Sequence, residues 1–224
     1  MSQPVKAGPT RRYDSSRRLV AARETRRAIL DAARTLFLDR GYARTTMTAI
    51  AKAAAVSVEA IYLSVGPKAA VVRYLVETAL SGTEGPVAAD ERDWVQEFKA
   101  ESDPRLKIRL HAAPAIREMH QRLAPLWTVV LEAAPSDPEL RSLIDELNQR
   151  RAGHMRLMVE DLAISGGLRP GLSTDMAADI LWATNSPEFF LLLVRDRSWP
   201  ARTFEHWLAD AWIDLLLPAL SSGG

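Results

Sequence analysis

Residues 45–68, TTMTAIAKAAAVSVEAIYLSVGPK, decide the reading of this chain. They describe two short helices joined by a tight turn, followed at once by the start of a third. Ile50, Val56 and Ile61 supply a small apolar core for two helices that cross closely, and Ala51 stands where the crossing leaves room only for a small side chain. Thr46 and Ser57 each sit where a helix needs a side-chain oxygen for its free backbone N–H groups. Pro67 suits the first position of the following helix, where its missing N–H costs nothing. This is the layout of a helix-turn-helix at about 46–65, whose second helix enters the DNA major groove.

Charge placement agrees. The 224-residue chain carries a net charge of only +1, yet residues 1–68 hold 13 Lys and Arg against 5 Asp and Glu. The remaining 156 residues hold 16 basic and 23 acidic ones. A basic N-terminal third on an acidic remainder fits a polyanion-binding module joined to a carrier that leaves DNA alone. The chain has no cysteine, which excludes disulfides and thiolate metal sites. Its hydrophobic content of 47% suffices for a sizeable core. The first residues carry no apolar leader, and no apolar run reaches the roughly 20 residues of a bilayer span, so a cytoplasmic protein is expected.

Working outward, helical periodicity dominates and no alternating strand is found. Residues 1–15 read as a flexible basic arm. A long helix from about 16 to 40 carries Ile29, Ala33, Leu36 and Phe37 on one face and ends at Gly41. A fourth helix, 67–84, bears Val72, Leu75, Val76 and Ala79 along one stripe. Beyond Gly85-Pro86 the composition changes, and residues 85–224 form a second domain. Its helices are expected near 88–100, 104–122, 125–134, 138–165, 174–195 and 201–217, punctuated by proline. Pro187 falls inside an apolar helical stretch, which is therefore kinked or broken there. The fold class is all-α: a helix-turn-helix domain over 16–84 and a helical ligand-binding and dimerisation domain after it.

Residues 23–84 resemble the DNA-binding domain of the tetracycline-repressor (TetR-like) family. The likeness runs from Ala28-Ile29-Leu30-Asp31-Ala32-Ala33 and Leu36-Phe37 through Gly41-Tyr42. It continues with Thr45-Thr46-Met47, Ile50-Ala51, Val56-Ser57, Ile61-Tyr62 and Lys68. The resemblance implies a dimer with a small-molecule pocket in its second domain. It also implies a DNA-facing set of Thr45, Thr46, Thr48, Ser57, Val58, Glu59, Ala60, Tyr62, Leu63 and Lys68. Within it Thr46, Tyr62 and Lys68 take phosphates, and the recognition helix specifies sequence. Arg11, Arg12, Arg17 and Arg18 precede the first helix. They either neutralise DNA or form a solubilising tail.

The chain departs from the family pattern in places. Ala55 stands at a turn position where the family commonly has Gly, and Leu63, Ser64 and Val65 replace a polar residue and two aromatics. Glu59 places an acid near the groove, where it either accepts from cytosine or weakens binding.

In the second domain, Phe204, Trp207, Leu208, Ala211, Trp212 and Leu215 form a stripe too wide for one face of a monomer. With Phe189 it is expected to make half of a four-helix bundle completed by a second subunit. Trp94, Phe98, His111, Met119, Trp127, Met155, Met158, Trp182 and Asn185 are candidate lining for an apolar ligand site. His111 and His154 are the polar candidates. No catalytic motif, metal site or cofactor site is found, and no enzyme activity is expected. The expected function is a homodimeric transcriptional repressor released from a palindromic DNA operator by a small effector. A regulator without an inducer, or an enzyme fused to a DNA-binding domain, are the alternatives.

Overall fold

The computed structural model describes residues 12–219, with side chains from Arg17 onward. The described residues form helices and no strand. Helix α1 (Arg12–Arg44) is broken at Gly41, whose φ of 75° is left-handed and ends the regular helix. It begins at Arg12, four residues before the expected start, so Arg17 and Arg18 stand on an exposed helical turn and not in a flexible arm. Arg11 lies outside the described residues, as does the rest of the arm before it, and the side chain of Arg12 is likewise not described.

Helices α2 (Met47–Ala53) and α3 (Val58–Ser64) meet at 96°. Both caps form as the sequence requires. Thr46 accepts from the Ala49 N–H and Ser57 from the Ala60 N–H, each at 3.1 Å. The turn between them closes with the Val56 N–H on Ala51 O (3.0 Å) and the Ala55 N–H on Lys52 O (3.4 Å). That geometry forces Ala55 to a φ of 54°. A left-handed alanine costs about 1–2 kcal/mol, against which glycine loosens the unfolded chain by somewhat less. Ala55→Gly is therefore expected to stabilise the protein by roughly 0.5 kcal/mol and raise Tm by roughly 1–3 °C in a thermal melt. A lowered Tm would contradict the strain.

Helix α4 (Lys68–Ser81) starts one residue later than expected, with Pro67 as its N-cap. A 3₁₀ turn (Ala89–Glu91) and α5 (Asp93–Ala100) open the second domain. Next, α6 (Pro104–Leu106), a π-helical turn (Lys107–Ala112) and α7 (Ala113–Ala133) follow without a gap. The expected division near 123–125 is absent: Pro125 sits within α7. Its ring is solvent-exposed, while Leu123, Leu126, Trp127 and Val130 on the other face are buried. Their burial outweighs the roughly 3 kcal/mol that a mid-helix proline costs.

Helix α8 (Pro138–Gly166) matches expectation, but the stretch 174–195 is broken. Helix α9 (Thr174–Thr184) stops at Asn185, and Ser186 caps a new start at α10 (Pro187–Phe190), continued by a π turn (Leu191–Asp196). Helix α11 (Ala201–Leu216) closes the fold.

Two apolar cores share α7 as a spine. One gathers α1–α4 against the C-terminal half of α7 and the start of α8, through Leu126, Trp127, Val130 and Leu140. The other gathers α5, the N-terminal half of α7, the end of α8 and α9–α11. The apolar core of the helix-turn-helix module thus continues past residue 84. Among the described residues no single helix is long and apolar enough to cross a membrane.

Candidate nucleic-acid interface and effector cavity

Helix α3 presents an unpartnered outer face. Leu63 is 90% exposed and Tyr62 52% exposed, while Ile61 on the opposite side is fully buried. Thr46, Thr48, Ser57 and Glu59 are exposed, and Val58 and Ala60 half-buried. An exposed leucine beside a phenol on a helix of this size suits contact with thymine methyls and phosphates. The Glu59 carboxyl is held below its usual range by the backbone N–H at the helix start, with help from Ser57.

Thr45 does not belong to this face. It is 1% exposed, and its hydroxyl donates to Gly41 O (2.9 Å) and Leu36 O (3.1 Å), tying off the broken end of α1. Lys68 is half-buried, with its ammonium 3.9 Å from the centre of the Tyr42 ring. Tyr42 in turn donates to Asp137 at 2.6 Å, so the start of α4 is tied to the N-cap of α8. Burial lowers the Lys68 pKa and Asp137 partly opposes it.

A cavity of about 170 Å³ lies in the second domain between α5, α7, α8 and the α9–α10 break. Of the nine residues expected to line it, Trp94, Phe98, Met119, Trp127, Met155, Met158 and Asn185 do so. His111 does not: it sits outside against Glu97, at 3.4 Å. Trp182 does not either. It lies one turn before the helix break, facing outward, with its Nε1 donating to Asn148 O (3.3 Å) and the Arg151 guanidinium 4.7 Å above its ring.

The polar group that the sequence reading passed over is His120. It is 1% exposed and lines the cavity. Its Nε2 is 2.9 Å from Asn185 Oδ1, and Asn185 Nδ2 points to Met155 Sδ at 3.4 Å. That orientation makes Nε2 the donor and leaves Nδ1 as a bare acceptor, buried without a partner. Burial pulls the His120 pKa down to about 4. Its spacing from Ile116, Leu123 and Trp127 places it on the apolar face of α7, the one signal the sequence offers.

Basic side chains crowd the cavity's rim. Arg92, Arg150, Arg151 and the exposed His154 line it, as do Lys99 and Asp90. Arg150 reaches across to α4, donating to both oxygens of Glu77 (2.6 and 3.2 Å). Arg73 of α4 pairs with Glu146 of α8 at 2.6 Å. At the far end, the fully buried Lys107 neutralises Asp161 at 2.7 Å and donates to Phe98 O at 2.7 Å. Among the described residues no cluster of His, Asp and Glu could hold a metal ion.

Residues 29–75 match the family model described as bacterial regulatory proteins, tetR family. Over most of its length the chain shares the fold of NalD, described as the secondary repressor of the MexAB-OprM multidrug efflux pump in Pseudomonas aeruginosa. That match has 23% identity over 86% of this chain and 96% of that one, with a TM-score of 0.64. The transcriptional regulator FadR from Bacillus subtilis, solved in complex with stearoyl-CoA, matches at 21% identity over 83% of this chain and 96% of that one, TM-score 0.63. A SmeT–triclosan complex matches at 23% over 86% and 91%, TM-score 0.62. No curated protein matches the chain in sequence. The helices α2 and α3 of the helix-turn-helix both lie within the residues that match this family model.

Proposed function

We propose that the protein is a homodimeric repressor that leaves a palindromic operator when a small effector fills the cavity. The observation that carries this reading is the Arg150–Glu77 bridge, which joins the cavity wall to α4, the helix packed against the DNA-binding core. A ligand that shifts α8 at this point shifts α4 and with it α3. Because binding and release are linked, an effector favouring the displaced arrangement weakens DNA binding by the same factor that DNA weakens effector binding. Solved structures of this fold holding stearoyl-CoA or triclosan support a small-molecule effector.

On the DNA side, Tyr62, Lys68 and Thr46 take phosphates, and Thr48, Val58, Glu59, Ala60 and Leu63 approach the base edges. Thr45 is removed from this set by its burial. Arg17 and Arg18 extend the basic surface along α1. The dimer forms through the outer side of α11, Trp207, Ala211 and Leu215, together with Phe189 and Leu192.

Lys68→Ala tests the DNA reading. Operator affinity and non-specific affinity are expected to fall together, and the slope of log affinity against log salt to shrink by roughly one unit per half-site. Tyr62→Phe should weaken both without changing the slope, because it removes a neutral contact. Unchanged binding by Lys68→Ala at every salt concentration would leave the lysine a purely structural partner of Tyr42.

A further inference from the structure

The apolar chamber has room for little. An engineered cavity of about 150 Å³ takes up benzene, so 170 Å³ holds a body of about one ring without expansion. Its walls there are Phe98, Trp94, Met119 and Met155. The rim is different. Asp161 is already paired with Lys107, and Arg150 with Glu77. Arg92 is left over: its Nε is buried without a hydrogen-bond partner, and its guanidinium forms no ion pair among the described residues. Arg151 is better held, by Asn148 Oδ1 at 3.2 Å, Glu188 at 4.0 Å and the Trp182 ring, although its Nε is also buried and unpartnered. Glu188 is itself engaged by the Trp127 Nε1 at 2.6 Å.

Burying guanidinium groups beside one another without counter-charge is costly. The cost registers on the groups themselves. Burial first, and then the neighbouring Arg150, holds Arg92 below its ordinary pKa, and burial with Arg92 and Arg150 does the same to His154. Glu77, already bridged to Arg150, opposes the shift at Arg92, and Asp90, exposed at the rim, opposes the one at His154, each only in part. A site with an excess of desolvated cations at the mouth of an apolar chamber is complementary to a molecule with the opposite layout.

We propose that the effector is a compact apolar anion, with a ring-sized body in the chamber and a carboxylate-like group held by Arg92 beside Arg150. The proposal rests on the reading of this cavity as the effector site. It also supplies the trigger: the bound anion competes with Glu77 for Arg150 and loosens the bridge to α4.

The probes are benzoate and its uncharged counterpart benzyl alcohol, titrated against the full-length protein at pH 7.5. The tryptophans Trp94 and Trp127 in the cavity wall serve as the fluorescent reporters. The benzoate is expected to bind about tenfold or more tightly than the alcohol, as one charge-assisted contact provides. Arg92→Gln should erase that difference while leaving the alcohol's affinity unchanged, which also shows that the cavity is intact. Glu77→Gln should raise benzoate affinity and lower operator affinity, since it removes the competitor and the bridge together. Equal binding of both probes, or a benzoate preference that survives Arg92→Gln, would overturn the anion proposal and leave the cavity reading standing. If neither probe binds and neither displaces operator DNA, the cavity reading fails for bodies of this size, and the proposal fails with it.

Discussion

A Trp207→Glu, Leu215→Glu double variant is expected to sediment as a folded monomer and to lose operator affinity by roughly 100-fold or more. The sequence presents α11 as a single wide stripe, but the fold divides it. Phe204, Leu208 and Trp212 are fully buried inside the chain, and Trp212 Nε1 donates to Thr184 at 2.7 Å. These three are core and are withdrawn from the set expected at the dimer face. On the opposite side, Leu215 is 38% exposed and Trp207 and Ala211 are half-buried. Trp207 stacks on Phe189 (centroids 5.5 Å apart), and Leu192 beside it is 54% exposed. These exposed and half-buried apolar side chains are the surface proposed for the dimer.

In a two-fold dimer each substitution appears twice, so four carboxylates would be buried without partners, at several kcal/mol each. A single recognition helix then lacks the second half-site one DNA turn away. Trp212→Glu is the contrasting variant, expected to unfold the chain. If the double variant stays dimeric and holds the palindrome, the interface lies on other helices.

What could be read from the sequence was local. Thr46 and Ser57 cap helices through contacts three residues long, so the helix-turn-helix and its register were legible without a partner segment. Ala55 was legible only through the resemblance, as an alanine where the family commonly has Gly; the strain itself shows in its φ of 54°. Thr45 stands next to Thr46 with the same side chain, and only the break at Gly41 turns one hydroxyl inward and the other out. Lys107 gives no sign in sequence that it is fully buried, since its partners Asp161 and Phe98 come from α8 and α5. Pro125 was misread as punctuation because local rules weigh its lost hydrogen bond and not the core packed behind it. In the cavity, seven of nine expected wall residues were identified by size and polarisability. The missed His120 was indistinguishable from a core histidine until Asn185 arrived from the break between α9 and α10, 65 residues away.

His120 should make the protein's stability depend on pH in a window that few other groups share. Its folded pKa is pulled down to about 4, against an ordinary value of 6.5, first by burial. Between those values the unfolded chain takes up a proton that the folded chain refuses, so stability falls as pH is lowered through the window. The contribution is fully present above pH 6.5 and is lost progressively toward pH 4. Linkage gives a loss of roughly 2 kcal/mol between pH 7 and pH 5 from this residue.

The carboxylates act lower down. Glu146, held down first by its hydrogen bond from Arg73, loses its stabilising contribution only as pH falls below its ordinary 4.5. His154 shifts in the same direction as His120, but it is exposed at the rim, so its share is the smaller and is common to both proteins compared. The comparison is wild type against His120→Gln, where the glutamine amide can still donate to Asn185 Oδ1 and cannot titrate. Urea unfolding at fixed protein concentration should show the variant losing roughly 2 kcal/mol less than wild type between pH 7 and pH 5. Identical losses in the two proteins would mean that His120 exchanges its proton with solvent in the folded state, and so is not sealed in the cavity wall.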